Sequence, residues 1–208
     1  MVESQVRPNG VTDSRILRAM ARIPREAFVP EAQRPMAYMD EDIAVAPGRF
    51  LMEPMSAARL IQLADIAEED RVLHIACATG YGTAVIASLA RSVDAIDEDA
   101  ALVVSAQSAL QHLGITNATV ATAPHAEGKP AGAPYNAIVI EGRVPAIPDQ
   151  LTRQLAEGGR LVAVIGERAV ATATLITLHG TATSALPSFE ASVAALPGFT
   201  IDKPAFVF

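Results

Sequence analysis

The chain has 208 residues, a formal net charge of −7, 50% hydrophobic residues and 19% charged residues. This composition predicts a globular protein with a full hydrophobic core and excludes a disordered chain. The negative charge argues against a general nucleic-acid binder and against binding to an anionic membrane surface, since both need a basic face. A lone cysteine, Cys77, excludes an internal disulfide, and no apolar run is long enough to span a bilayer. We therefore expect a cytoplasmic protein.

The first 70 residues predict two helices joined by loops, ahead of the first strand of a sheet. Thr12 or Asp13 can cap the first helix, and Pro54 suits the first turn of the second. The extended stretch 37–43 carries three carboxylates. These carboxylates form either a solvated acidic turn or part of a substrate mouth.

The stretch 71–99 predicts a βαβ unit, whose crossover should be right-handed. It contains an apolar strand at 72–76, a turn of small residues and glycines at 76–82, an apolar helix at 83–90 and a second strand at 93–96. Asp97 follows that second strand. Its distance past the turn is roughly that at which nucleotide-binding folds place a carboxylate on a ribose hydroxyl.

Strands and helices alternate over the remainder of the chain. The predicted elements are a helix at 100–113, strands at 118–123 and 135–142, a helix at 147–155, a turn at 157–160, strands at 161–165 and 171–178, and a last pair at 188–193 and 205–208. This order predicts an α/β fold with a mostly parallel sheet covered on both faces and an antiparallel carboxyl-terminal edge. A ligand should bind where the strand order switches, which brings together residues 76–81, Asp97, 123–125 and Glu141.

Several stretches resemble one enzyme family. They read I-P-R-E-A-F-V-P at 23–30, A-Y-M-D at 37–40, V-L-H-I-A-C-A-T-G-Y at 72–81, P-Y-N-A-I-V-I-E-G at 134–142 and L-A-E-G-G-R-L-V at 155–162. In these stretches the chain is similar to the protein-L-isoaspartate O-methyltransferases, and its ending L-P-G-F looks like a bacterial branch. The resemblance implies a three-layer, doubly wound, Rossmann-like methyltransferase fold. It implies one compact domain, with residues 71–208 as the core and residues 1–70 as a helical and loop cap region.

The resemblance also implies an activity, which is methyl transfer from the sulfonium of S-adenosylmethionine to a carboxylate, as a repair of isoaspartyl damage. The partner would be a protein or peptide with isoaspartyl residues, and no nucleic acid, membrane or metal is expected. The acceptor carboxylate is already ionised at neutral pH, so most catalysis would be alignment of donor and acceptor. The family's cofactor-binding positions fall on Ala76, Ala78, Gly80, Tyr81 and Asp97.

The cofactor positions depart from the family pattern. His74 stands where the family has an acid, and Ala76 and Ala78 replace two glycines. If that backbone is left-handed, each alanine costs roughly 1–2 kcal/mol. The family's adenine-reading Gly-Asp-Gly turn falls on residues 123–125, which read Ala-Pro-His and carry no carboxylate.

The substrate loop departs as well. In the family it carries hydroxyls, whereas residues 48–52 here read Gly-Arg-Phe-Leu-Met. Met52 stands at the position of the family's hydroxyl residue in the catalytic site. Arg49 could pair with an acid, so Arg49 and Phe50 are the predicted substrate-binding residues.

Three other side chains have a structural and a chemical interpretation each. We expect His74 to be a satisfied histidine inside the sheet and not a base. We expect Cys77 to be a small buried filler, since no partner base is evident for a nucleophile. We expect His125 to be a solvated loop histidine, although it could approach the crevice.

Two alternatives to isoaspartyl methyl transfer stay open. The first is a degenerate homologue that has lost cofactor binding and acts as an interaction or structural protein. The second is a methyltransferase with a more apolar acceptor, whose pocket Phe50, Leu51 and Met52 would line. Cofactor binding and turnover of an isoaspartyl peptide together separate the three functions.

Overall fold

The computed structural model describes residues 1–199 and contains a central sheet with helices on both faces. The helices are α1 (Ser14–Arg22), α2 (Pro54–Leu63), α3 (Tyr81–Ala87), α4 (Ala100–His112) and α5 (Asp149–Thr152). The strands are β1 (Ile43–Ala46), β2 (Arg49–Leu51), β3 (Arg71–Ile75), β4 (Ser92–Asp97), β5 (Ala118–Thr122), β6 (Tyr135–Val144), β7 (Leu155–Ile165), β8 (Val170–His179) and β9 (Ala182–Ser192).

The main sheet has the strand order β5-β4-β3-β6-β7-β8-β9. The first five strands in this order, β5, β4, β3, β6 and β7, run parallel. Strands β8 and β9 complete the sheet in antiparallel pairs. The order switches between β3 and β6, so the carboxyl ends of β3, β4 and β6 meet at one crevice. The predicted doubly wound, mostly parallel sheet with an antiparallel carboxyl-terminal edge is confirmed.

The hydrophobic core forms two layers, because alternate residues of each strand point to opposite faces of the sheet. Val72 packs with the apolar sides of α1 to α4, whereas Leu73 and Ile75 pack on the other face with α5 and the turns beside it. The first layer also includes Val6 and Ile43 from the amino-terminal part of the chain. Residues of the predicted cap region and of the predicted core therefore share one layer, and the division at residue 70 stays a prediction.

Local signals in the sequence explain where the helices begin. Asp13 caps α1, since its carboxylate accepts the N–H of Arg15 at 2.7 Å. Pro54 occupies the first turn of α2, where its missing N–H removes no helical hydrogen bond. Gly114 follows α4 with a φ of 68°, the left-handed conformation that commonly ends a helix.

The carboxyl-terminal half differs from the prediction in the lengths of its elements. The helix expected at 147–155 is limited to α5, because β7 begins at Leu155 and already contains the predicted turn. Strand β9 begins at Ala182 and pairs with β8 through a turn at Gly180, whose φ is 62°. The strand expected at 205–208 lies outside the described residues.

Within residues 1–199, no helix is long and apolar enough to cross a bilayer. Over the same residues, no group of histidine, cysteine and acidic side chains is arranged to hold a metal ion.

Candidate functional site

The turn after β3 forms the floor of the crevice. Its backbone is left-handed at three alternate positions, with φ values of 62° at Ala76, 48° at Ala78 and 94° at Gly80. Only glycine adopts this region without strain, and an alanine there costs roughly 1–2 kcal/mol. The turn therefore has a left-handed conformation that suits glycine, although two of its three left-handed residues carry a methyl group.

Asp97 lies at the carboxyl end of β4 and its side chain is completely buried. Its Oδ2 accepts the N–H of Ala78 at 2.8 Å and lies 2.5 Å from Nη2 of Arg49. Its Oδ1 accepts the N–H of Asp99 at 3.1 Å and lies 3.6 Å from Nε2 of His125. Both carboxylate oxygens are therefore engaged by the protein.

These partners keep Asp97 ionised. Burial by itself raises the pKa of a carboxyl group. The charge of Arg49 and the N–H donors around the carboxylate, that of Asp99 among them, outweigh burial and hold the pKa of Asp97 below its ordinary value. The crevice thus contains a buried carboxylate rather than a neutral acid.

Arg49 reaches Asp97 from the β1–β2 hairpin, which lies outside the main sheet. The Arg49 side chain is buried, and its Nη2 also donates to the carbonyl oxygen of Ala76 at 3.3 Å. Its Nε is buried without a hydrogen-bond partner among the described residues. Arg49 was predicted to pair with an acid of the substrate, but in this structure it pairs with an acid of its own chain.

A segment near the end of the described chain covers the crevice, and we call residues 193–199 the strap. The N–H of Ala194 donates to Asp42 at 3.1 Å. The Leu196 side chain lies so close to Gly142 that a Cβ atom added to this glycine would be 2.5 Å from it. The ring of Phe199 stacks on His125 with a centroid distance of 6.4 Å. The strap therefore crosses the carboxyl end of β6 and the turn after β5.

His125 is completely buried under the strap. Its ring Nε2 accepts the backbone N–H of Glu98 at 3.1 Å, and its backbone N–H donates to the Glu98 carboxylate at 2.8 Å. Its ring Nδ1 lies 3.4 Å from the carbonyl oxygen of Pro197. The expectation that His125 is solvated is wrong, because the strap encloses the loop that carries it. Sequence periodicity could not predict this contact, since the strap has no regular secondary structure.

The space that remains in the crevice is small. The cavity between the strap and the substrate loop has a volume of about 10 Å³ and is lined by Arg49, Phe50, Met52 and the acidic residues Asp42 and Glu141, among others. This volume holds about one water molecule. A groove of about 660 Å³ lies elsewhere, between Phe28 and α4, and its lining includes neither Asp97 nor Arg49.

His74 is held inside the sheet, as predicted. Its Nδ1 lies 2.8 Å from Oγ1 of Thr83, and its Nε2 lies 2.8 Å from Oε2 of Glu141. A Cβ at Gly82 would collide with the Glu141 carboxylate, so glycine is needed there. Glu141 of β6 thus places a carboxylate beside His74.

Cys77 and Tyr81 are packing residues in this structure. Burial raises the pKa of the Cys77 thiol well above its ordinary value, which agrees with the predicted inert filler. The Tyr81 ring meets the edge of Phe28 at 5.5 Å, and the Arg25 guanidinium lies 4.8 Å from its centroid. Burial raises the pKa of Tyr81 to about 12.

Arg25 is a site residue that the sequence analysis missed. It is completely buried and donates from Nε to the carbonyl oxygen of Ala37 at 2.7 Å and from Nη2 to that of Met52 at 2.6 Å. It therefore links the substrate loop, including the buried Met52, to the backbone at Ala37. Its place in the stretch I-P-R-E-A-F-V-P was the signal that could have identified it.

Comparison with known proteins agrees with this architecture. The family described as Protein-L-isoaspartate(D-aspartate) O-methyltransferase (PCMT) matches residues 1–185. The chain belongs to this family. A PCMT from Koribacter versatilis is 40% identical over 166 residues, which span 80% of this chain and 75% of that protein. One from Herpetosiphon aurantiacus is 40% identical over 167 residues, with 80% and 75% covered.

Solved structures support the same fold. A protein-L-isoaspartate O-methyltransferase structure aligns with a TM-score of 0.82 at 23% identity and covers 92% of this chain, whereas this chain spans only 63% of that one. A structure from Plasmodium falciparum, assigned to the PCMT family and solved with S-adenosyl-L-homocysteine, aligns with a TM-score of 0.78 at 19% identity, with 94% and 95% covered. The Rossmann-like methyltransferase fold implied by the sequence is therefore confirmed.

The strain at the turn can be measured against a matched alanine. Ala78→Gly loses a buried methyl but relieves left-handed strain, so we expect a change in unfolding free energy near zero. Ala84→Gly, at an equally buried position in α3, loses the same methyl without relief and should destabilise by about 2 kcal/mol. Urea unfolding of both variants measures the difference. Equal losses for the two variants would contradict a strained turn.

The buried Arg49–Asp97 pair should dominate the acid sensitivity of this region. Asp97→Asn leaves the guanidinium buried without its carboxylate and should cost about 3–5 kcal/mol at pH 7. Because folding lowers the pKa of Asp97, its stabilisation is complete above the ordinary pKa of 3.8 and is lost as the pH falls below it. Asp97→Asn should lack this loss.

The exposed pair of Asp149 and Arg153 offers a control for the same measurement. Asp149→Asn should change stability by less than about 0.5 kcal/mol. The double variant Arg49→Met/Asp97→Asn should recover much of the loss, because it removes both buried charges. A single Asp97→Asn variant as stable as Asp149→Asn would refute the assignment.

Proposed function

We propose that the chain is a protein carboxyl methyltransferase of the isoaspartyl type that uses S-adenosylmethionine. Membership of the PCMT family supports this function, as do relatives of that name at 40% identity. The observation that carries the proposal is the ionised Asp97 above a left-handed turn, with the N–H of Ala78 aimed at its carboxylate. Strained backbone of this kind clusters at functional sites, which supports a ligand-binding turn here.

The residues present fit part of the cofactor. Asp97 would accept the ribose hydroxyls, and the backbone of the turn from Ala76 through Ala78 and Gly80 to Tyr81 would approach the rest of the molecule. Alanine replaces two of the family's glycines in this turn, and residues 123–125 after β5 contain no carboxylate to read the adenine amino group. Arg49 and the strap fill the remaining space in this structure, so the group fits only after they have moved. When bound, the cofactor supplies a methyl group on a positively charged sulfur. The sulfur leaves as a neutral thioether and needs no acid catalyst.

Arg49 and Phe50 are proposed as substrate-binding residues. The small cavity at the mouth of the crevice is lined by the acidic Asp42 and Glu141, and Arg49 is the cation among its lining residues. A substrate carboxylate would therefore need the Arg49 guanidinium as its partner. The acceptor would be an isoaspartyl residue of a protein or peptide, in the cytoplasm.

No general base is required for this reaction. The acceptor carboxylate is ionised at neutral pH, and alignment with the donor supplies most of the catalysis. Met52 has no hydroxyl to hold the acceptor, but Arg25 fixes its backbone and hence the position of the loop. The Met52 side chain would limit the crevice by its volume.

A second candidate function is an interaction protein of the same family without cofactor binding. The pairing of both carboxylate oxygens of Asp97 with partners from its own chain favours this candidate. The two functions differ in one property, which is affinity for S-adenosylmethionine.

The assay that tests the proposed function is release of S-adenosylhomocysteine with an isoaspartyl peptide. We expect release with this peptide and none with the aspartyl peptide of the same sequence. Asp97→Asn should lower the rate by about 10- to 100-fold, because a hydrogen bond to a charged group is lost. Absence of release at high enzyme concentration, together with no heat of cofactor binding in calorimetry, would favour the interaction protein.

A further inference from the structure

We propose that Arg49 and the strap form a latch that competes with the cofactor for Asp97. Cofactor binding would require the Arg49 guanidinium to leave the carboxylate and the strap to leave the turn after β5. This inference rests on the proposed function and concerns how that function is controlled. It assigns Arg49 two alternative partners, its own Asp97 and a ligand carboxylate.

The first argument is the number of acceptor positions on Asp97. Oδ2 accepts from Ala78 at 2.8 Å and from Arg49 at 2.5 Å, while Oδ1 accepts from Asp99 at 3.1 Å. A carboxylate has about four acceptor sites, so a ribose that donates two hydroxyls needs the open site on Oδ1 and the site on Oδ2 that Arg49 occupies. The N–H donors of Ala78 and Asp99 belong to the backbone of the crevice and can remain. Arg49 is therefore the group that must leave.

The second argument is that the guanidinium is incompletely satisfied. Arg49 is buried, yet its Nε has no hydrogen-bond partner among the described residues. A buried donor without a partner weakens the closed arrangement. The same holds for Nη1 of Arg25 and Nε of Arg160, so the missing partner lowers the cost of opening but does not distinguish Arg49 from those arginines.

The third argument is that Arg49 and the strap are mechanically linked. Asp42, just before β1, accepts the N–H of Ala194 in the strap, and Arg49 begins β2 of the same hairpin. This hairpin forms a separate two-stranded sheet, with an irregular register between Ala44 and Ala46. A movement of the hairpin would therefore release Asp97 and the N–H of Ala194 together, and would leave the strap held by its backbone hydrogen bonds to Arg143 of β6.

The fourth argument is the position of the strap. Pro197 and Phe199 contact His125, which stands in the turn where the resemblance puts the adenine end of the cofactor. Leu196 lies over Gly142 at the acceptor end of the crevice. The strap therefore covers the adenine end and the acceptor end of the crevice, while Arg49 lies on Asp97 between them.

The test is calorimetry with S-adenosylmethionine and S-adenosylhomocysteine on the full chain and on Arg49 variants. We expect Arg49→Met to bind both ligands at least about tenfold more tightly than the unaltered chain, because the closed state no longer competes. Arg49→Lys should give a smaller gain, since one ammonium replaces a two-pronged donor. The Michaelis constant for an isoaspartyl peptide should rise in Arg49→Met, so that the two effects have opposite signs.

A matched control removes another arginine that pairs with an aspartate at the far end of the sheet. Arg160 pairs with Asp70 ahead of β3, and Arg160→Met should leave both affinities unchanged after correction for any unfolded fraction. Hydrogen–deuterium exchange of residues 193–199 supplies a readout without ligand. We expect exchange there to rise by about tenfold or more in Arg49→Met and to stay unchanged in Arg160→Met.

The outcomes distinguish the latch from the proposed function. If the unaltered chain binds as tightly as folded Arg49→Met and Arg49→Lys, the latch is refuted while the methyltransferase remains. If neither the chain nor its Arg49 variants bind a ligand, the proposed function and the competition both fail. A rise in strap exchange would then show only that Arg49 holds the strap in place. If Arg49→Met does not fold, Arg49→Lys still reports the competition.

Discussion

The ion pair between Arg49 and Asp97 determines the state of the whole crevice. The parallel strands bring their carboxyl ends to one edge, and the carboxylate at the end of β4 must be compensated there because it is completely buried. In this structure the compensation comes from the protein itself, through a guanidinium carried by a small separate hairpin. Closure of the crevice, burial of His125 and the position of the strap all accompany that contact.

The turn below this pair shows a different balance of forces. Alanines at two left-handed positions are strained, and the N–H of one of them donates to Asp97. The fold thus keeps the backbone shape of a ligand-binding turn at an energetic cost, while Arg49 occupies space above that turn. Beside this turn, Glu141 of β6 pairs with His74 at the end of β3.

Much of the fold could be predicted from the sequence because its signals are local. Asp13, Pro54 and Gly114 mark helix ends through capping chemistry, and short apolar runs mark the buried parallel strands. The helix expected at 147–155 failed because β7 extends back to Leu155 in the sheet, and strand pairing depends on distant partners. At the site, the identity of the acid and the turn followed from their spacing. The contacts of Arg49, Arg25 and His125 depend on tertiary structure, although the stretch at 23–30 marks the position of Arg25.

The account therefore depends on whether a nucleoside can replace an arginine at Asp97. The most direct measurement is a crystal structure of the chain grown with excess S-adenosylhomocysteine. We predict ligand density above the turn at 76–80, with the ribose hydroxyls on the Asp97 carboxylate and the Arg49 side chain displaced from it. A saturated crystal in which Arg49 still pairs with Asp97 and the ligand is absent from the turn would contradict the account.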